Sequence, residues 1–266
     1  MDLTRKPHQS RNSLASVHSP SNRRQSISAQ ISRSARRFSA AVAPQLTKLE
    51  PLPMLQNYSL LNFRIVDIKQ FNTAIEQYAV HGCVQFEPIE FEITTNSDQR
   101  ILKILLTPDE MTLNDGVRKI LTLSFHDSNN DDNGTPMSQV KHPLTGLKVF
   151  EFIELPLTNV VQIFSSIDSC ERCLIYPETN IWLRMLNTCG CFFTNTQWHF
   201  KKEGIVYATV RPNGKVLKEN SLRVEWTEQC NNDLRLLVVA FAMTLLVREA
   251  FSALIHILRE RRIRKS

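Results

Sequence analysis

Six cysteines and seven histidines are the side chains best able to do chemistry in this 266-residue sequence. Cys170-x-x-Cys173 followed by Cys189-x-Cys191 offers four thiolates, the number that tetrahedral zinc takes. On a strand both members of the tighter pair would point to one face, so geometry permits a shared ion. The same residues read equally well as free structural thiols, which behave as small buried apolar groups. Cys83 and Cys230 complete the set. Asn129-x-Asp131-x-Asn133-Gly134 repeats the first half of a calcium loop, but Val140 stands where the bidentate Glu is needed. A solvated Asn/Asp turn would have the same composition. His8, His18, His81, His126, His142, His199 and His256 show no spacing that suits a triad or a metal pair, so no covalent enzyme chemistry is expected.

Charge is concentrated at the two ends of the chain. Residues 1–48 carry nine Arg/Lys and one acid, Asp2, and few large apolar side chains. Such a segment buries too little surface to offset its ordering entropy, and disorder is expected. The other basic end is Arg259, Arg261, Arg262, Arg264 and Lys265. Together they account for much of the net charge of +6 and suit an anionic membrane leaflet, a nucleic acid, or plain solvation. The tail has Phe38 as its one aromatic residue, which leaves no stacking platform for single-stranded nucleic acid. Arg23-Arg24-Gln25-Ser26 and Arg36-Arg37-Phe38-Ser39 fit basophilic kinase sites, and phosphate on Ser26 or Ser39 would loosen an electrostatic membrane contact. No apolar run follows the N-terminus, so no secretory signal, no disulfides and no use of the sequons at Asn57 and Asn133 are expected. The Arg/Ser-rich start leaves a mitochondrial address as an alternative.

Pro44, Pro51 and Pro53 mark the boundary between tail and body. Leu49–Leu61 reads as a segment leading into Phe63-Arg-Ile-Val, and Ala74–Val80 as either strand or helix. Glu90–Thr94, a turn at Asn96–Gln99 and Arg100–Leu106 make a hairpin. Leu121, Leu123 and Phe125 alternate before the loop Asp127–Gly134, and strands are predicted at Val149–Leu155, Val160–Phe164, Trp182–Leu186, Gln197–Phe200 and Ile205–Val210. Arg211-Pro-Asn213-Gly214 is a turn signal, followed by Val216–Leu217 and by Leu222–Trp226 with Leu222, Val224 and Trp226 on one face. Ten or more short strands and one terminal helix, Leu234–Val247, predict a closed or nearly closed antiparallel barrel. Leu236–Val247 is uncharged over twelve residues. That run spans roughly 18 Å at ~1.5 Å per residue, short of a ~30 Å hydrocarbon core. Extending it to Leu258 would set Arg248 and Glu249 near the bilayer midplane, so burial as the axis of the barrel is the favoured reading over a membrane span.

The order of these pieces resembles the phospholipid scramblase family of the tubby-like superfamily. Leu49-Glu-Pro-Leu is similar to the family's opening. Phe91-Glu-Ile-Thr-Thr-Asn-Ser-Asp-Gln-Arg-Ile-Leu-Lys resembles its first hairpin, and Leu123-Ser-Phe-His-Asp127 a strand end. Val160-Val-Gln162-Ile-Phe164 and Leu183-Arg-Met-Leu-Asn-Thr-Cys189 are similar to two further strands, and Leu222-Arg-Val-Glu-Trp226 through Arg235 to the segment that runs into the closing helix. The match covers residues 50–247.

The resemblance implies a mainly β fold, with about twelve strands wrapping a C-terminal hydrophobic helix. Its domain limits would be a tail at 1–48, a barrel at 49–247 with its helix at 234–247, and a basic extension at 248–266. The implied activity is ATP-independent, bidirectional movement of phospholipids between leaflets, at the cytosolic face of the plasma membrane. The family's cysteine clusters are palmitoylated, which puts acylation of Cys189 and Cys191 beside the zinc and structural readings. The family also implies calcium, held by acids around the last strand. Here those positions are Lys218, Asn220, Gln229 and Asn231, a set poor in carboxylates and headed by a cation, so calcium binding of that kind is not expected. A non-catalytic membrane-surface adaptor that binds anionic lipid through its basic ends is the alternative function.

Overall fold

The fold was analysed in a computed structural model. It describes residues 48–116, 118–125, 134–156, 158–165, 171–178, 196–213 and 220–264. The tail with Ser26 and Ser39, the loop residues Asn129–Asn133, Cys170, Cys189, Cys191, Lys218 and Lys265 lie outside the described residues. So do the strands predicted at Trp182–Leu186 and Val216–Leu217.

Twelve antiparallel strands close into one barrel, each paired with its neighbours in sequence and the last with the first. They are β1 (Leu60–Ile65), β2 (Ile89–Thr94), β3 (Arg100–Leu106), β4 (Met111–Asp115), β5 (Arg118–Ser124) and β6 (Thr135–Lys141). The second half is β7 (Lys148–Glu154), β8 (Val161–Ser165), β9 (Glu171–Glu178), β10 (Gln197–Lys202), β11 (Ile205–Pro212) and β12 (Ser221–Trp226). Closure comes from β1 and β12, which pair from Leu60↔Glu225 to Arg64↔Ser221. A closed barrel has no free edge, so no strand is left as a template for aggregation. Alternation fixes the inward face: Phe91 and Ile93, Leu102, Ile104 and Leu106, and Leu222, Val224 and Trp226 are all buried.

The segment 74–80 is helical, within α1 (Ile68–His81). Its ends are written in the sequence. The Asp67 carboxylate accepts from Lys69 N at 2.8 Å, and Gly82, at φ +60°, closes the helix with Gly82 N donating to Tyr78 O and Cys83 N to Gln77 O. The apolar C-terminal stretch is α2 (Asn232–Leu245), and it threads the barrel. From Arg235 to Leu245 every residue is buried, which is why this helix is apolar on all sides rather than striped. Phe241 meets Phe152, Trp198 and Phe200 with ring centroids 5.3–5.5 Å apart, fixing the helix against β7 and β10.

The core does not stop at Val247. A π-helical turn, Leu246–Ala250, carries α2 to the rim, and α3 (Ala253–Ile263) follows after a bend of 97°. Leu254, Ile255, Ile257 and Leu258 are buried, so most of the expected basic extension packs against the barrel. The bend is stabilised by Phe251 N donating to Leu246 O at 2.8 Å and by the Phe251 ring, edge-on to Phe71 and Phe91. Among the described residues no single helix is long and apolar enough to cross a membrane.

Candidate functional site

The two ends of the barrel differ, and the expected site residues divide between them. At the plugged end, a 3-10 turn (Pro53–Asn57) and the N-terminus of α2 close the barrel. Asn231 caps α2, its Oδ1 accepting from Leu234 N at 2.8 Å. Arg235 is buried and serves two carbonyls: Nε donates to Cys230 O and Nη1 to Leu55 O, both at 2.8 Å, while its guanidinium lies 5.3 Å from the Trp226 ring. One side chain therefore ties the plug, the β12 end and the axial helix together. A cleft of about 550 Å³ opens beside it, lined by Cys173, Lys202, Tyr207, Gln229 and Asp233.

At the exit end, the π turn puts two charges on the rim. Glu249 Oε1 accepts from Trp198 Nε1 at 3.0 Å, and Arg248 Nη2 lies 3.4 Å from Glu154 Oε2. Burial lowers the Arg248 pKa and the neighbouring Arg259 lowers it further, against the pull of Glu154 and Glu249. A partly buried guanidinium beside a second one is a high-energy arrangement unless anions compensate it, and Glu154 supplies part of that compensation. Helix α3 lies across this end. Arg261 Nε reaches Asp109 Oδ1 at 3.4 Å, and Arg264 Nη1 donates to Gly82 O at 3.1 Å. Arg259, Arg261 and Arg262 are half-buried and Arg264 is exposed. These arginines thus engage the barrel as well as solvent, a role the sequence reading did not assign them.

The calcium positions are not brought together. Asn220 precedes β12 at the exit end, while Gln229 and Asn231 follow it at the plugged end. Six residues at ~3.3 Å each separate them by roughly 20 Å, far beyond the 2.3–2.6 Å ligand distances of one ion. Asn231 Oδ1 is also engaged as the helix cap. The described members of this set do not fit calcium, and no group of three His, Cys, Asp or Glu able to hold a metal occurs among the described residues. The half calcium loop fares no better on its described side. Val140 is buried in the core, and a Cβ at Gly134 (φ +125°) would sit 2.7 Å from Ile153 Cγ2 and 2.8 Å from Glu154 O, so that glycine serves strand packing.

Among the thiols, Cys173 is buried with Sγ 3.4 Å from Lys201 O, and burial pushes the Cys230 thiol up to about 11 despite Arg235. Both are enclosed by the fold, whereas Cys170, Cys189 and Cys191, the partners a shared zinc ion would need, lie outside the described residues. The strand ends flanking the segment that carries Cys189 and Cys191 (Glu178, Gln197) and the segment that carries Lys218 (Asn213, Ser221) lie at the exit end. A buried hydroxyl chain escaped the sequence reading. Ser138 Oγ and Thr244 Oγ1 are 2.7 Å apart, and Thr244 donates to Ala240 O at 3.0 Å. The available signal was Thr244 itself, a hydroxyl in an otherwise apolar helix.

No protein-family model matches the chain, and neither a curated protein nor a solved structure matches it.

Proposed function

We propose that this chain is a phospholipid scramblase-like protein that moves phospholipids between leaflets in both directions without ATP and without covalent chemistry. The observation that carries the reading is architectural. The motifs from Leu49 to Arg235 resemble a family whose barrel of twelve strands wraps a C-terminal helix, and the chain folds as a closed twelve-stranded barrel around α2. A translocator must lower the energy of a charged headgroup in hydrocarbon, through a polar path or a thinned bilayer. Were the C-terminal helix to span a bilayer, Arg248 and Glu249 would be the residues to meet a headgroup; in the closed barrel they are engaged by Glu154 and Trp198 at the exit end. The partners are phospholipid membranes and anionic lipids, at the cytosolic face of the plasma membrane, with a mitochondrial membrane as the alternative. Calcium control is not part of the proposal, because Asn220 is separated from Gln229 and Asn231.

A second reading, a non-catalytic adaptor on the membrane surface, is favoured by one observation: α2 is enclosed by the barrel, leaving its apolar surface engaged with protein. Liposomes carrying a fluorescent lipid separate the two. Dithionite bleaches the outer leaflet alone unless lipids exchange. Bleaching beyond the outer-leaflet fraction supports scrambling. Bleaching that stops there, with the protein floating together with the vesicles, supports the adaptor.

A further inference from the structure

The turn between β6 and β7 presents the most exposed large apolar side chain among the described residues. Leu144 is 87% exposed, and Leu147, three residues on, is 50% exposed. Water-facing leucines at a hairpin tip are unfavourable unless something apolar receives them, since burying one is worth about 1.5–3 kcal/mol. The tip is also held in one shape. His142 N donates to Leu147 O at 2.8 Å and Gly146 N to His142 O at 2.9 Å, with Gly146 at φ +67°. The buried His142 ring adds to this, its Nδ1 accepting from Leu144 N and Thr145 N at 3.4 Å. A tip ordered in advance loses little conformational entropy on binding.

Cations surround it. Lys141 and Lys148 face each other across the neck of the hairpin, so their side chains leave the same side of the ladder. Arg118 and Lys119 line a small hollow beside Leu144. Glu50 pairs with Arg118, Glu110 with Lys119 and Glu151 with Lys148, while Lys141 pairs with no carboxylate among the described residues. The hairpin's own Lys141 and Lys148 exceed Glu151 by one positive charge just behind the two leucines, while Asp115, opposite Arg118, adds a third acid beside the hollow.

We propose that this tip is a wedge that enters the surface of an anionic phospholipid bilayer, with Leu144 and Leu147 at the level of the upper acyl chains and Lys141 and Lys148 at the phosphates. The proposal rests on the membrane reading above and orients it: the plugged end of the barrel faces the lipid. Apolar insertion together with basic residues at the headgroups is the combination by which surface-bound proteins hold a membrane.

The full chain would be mixed with vesicles of phosphatidylcholine alone, or with an equal part of phosphatidylserine, and bound protein separated by flotation. One excess cation near an anionic surface is worth about 1 kcal/mol, so the mixed vesicles should bind about fivefold more tightly. The double variant L144S/L147S should bind about tenfold or more weakly, because at least one leucine's burial is lost. Both positions are exposed, and an unchanged Tm would confirm that the variant folds. Combined with Trp182→Phe, Leu144→Trp should add emission that brominated acyl chains quench, against a background in which Trp198 and Trp226 are buried. Wild-type binding that survives in L144S/L147S, with the emission of the introduced tryptophan unquenched in the Leu144→Trp protein, overturns the wedge and leaves the membrane reading standing. Failure of the wild type to bind either vesicle overturns both.

Discussion

Replacing Thr244 by Val tests how the helix is held inside the barrel. Thr244 has one proton and donates it to Ala240 O, so Ser138 must be the donor in the 2.7 Å contact between the two hydroxyls. Both side chains are fully buried, out of reach of bulk water as a substitute partner. Val keeps the shape of Thr but removes the acceptor, leaving the Ser138 hydroxyl unsatisfied. That should destabilise the fold by about 2 kcal/mol, the middle of the range for an orphaned buried group. For a body of this size the loss corresponds to a fall in Tm of about 4–8 °C. Ser138→Ala leaves Thr244 bonded to Ala240 O and should cost about 1 kcal/mol. The double variant removes the orphan as well, so it should cost less than the sum of the two single changes. Urea titration followed by circular dichroism measures all three. A Thr244→Val protein as stable as wild type, or strict additivity in the double variant, would refute the proposed donor chain and with it the registration of α2 against β6.

Two further predictions concern ionisation. Burial pushes the Glu225 carboxyl up, but hydrogen bonds from Arg211 at 2.9 Å and Arg223 at 2.6 Å outweigh it and leave the pKa below its ordinary 4.5. A lowered folded pKa contributes stability above the ordinary value that is lost as pH falls through the folded one. The advantage of wild type over Glu225→Gln should therefore be present at neutral pH and fade below about pH 4.5, and fade with salt as well because the site is partly exposed. An advantage undiminished at about pH 3 would contradict this assignment. Thiol labelling at neutral pH is the second test: Cys83, half-exposed, should react in the native protein, whereas Cys173 and Cys230 should react after unfolding. Native labelling of Cys230 at the rate of Cys83 would mean that the turn before α2 opens.

The barrel was legible wherever one strand face is buried and the other is not. Phe91 and Ile93, and Leu222 to Trp226, show the period of two directly, while in β5 the apolar Leu121 and Leu123 alternate with Thr122 and Ser124 although both faces are buried. Strand β4 gave no such signal, because Met111, Thr112 and Leu113 are all buried and a polar residue sits among the core positions. Helix α1 was ambiguous over Ala74–Val80 since its interior carries no clean apolar stripe, although its caps at Asp67 and Gly82 are plain in hindsight. The exit end was the least legible. Arg248, Glu249 and the later arginines look like a solvated extension, and only a bend of 97° turns Leu254, Ile257 and Leu258 back onto the core. A bend set by Phe251 between Phe71 and Phe91 is a long-range contact that local pattern cannot reveal. The distance between Asn220 and the pair Gln229 and Asn231 was equally hidden, because residues close in sequence are set at opposite ends by the strand between them. Leu144 and Leu147 stood in plain view, but exposure at a turn is visible only once the hairpin is folded.

The most direct test of the central proposal is inner-leaflet bleaching in liposomes that hold the purified full chain, with a calcium chelator present throughout. The account predicts that dithionite removes fluorescence beyond the outer-leaflet fraction, and that replacing the chelator with calcium leaves the trace unchanged. Bleaching that halts at the outer leaflet while the protein remains bound would contradict lipid movement by this barrel.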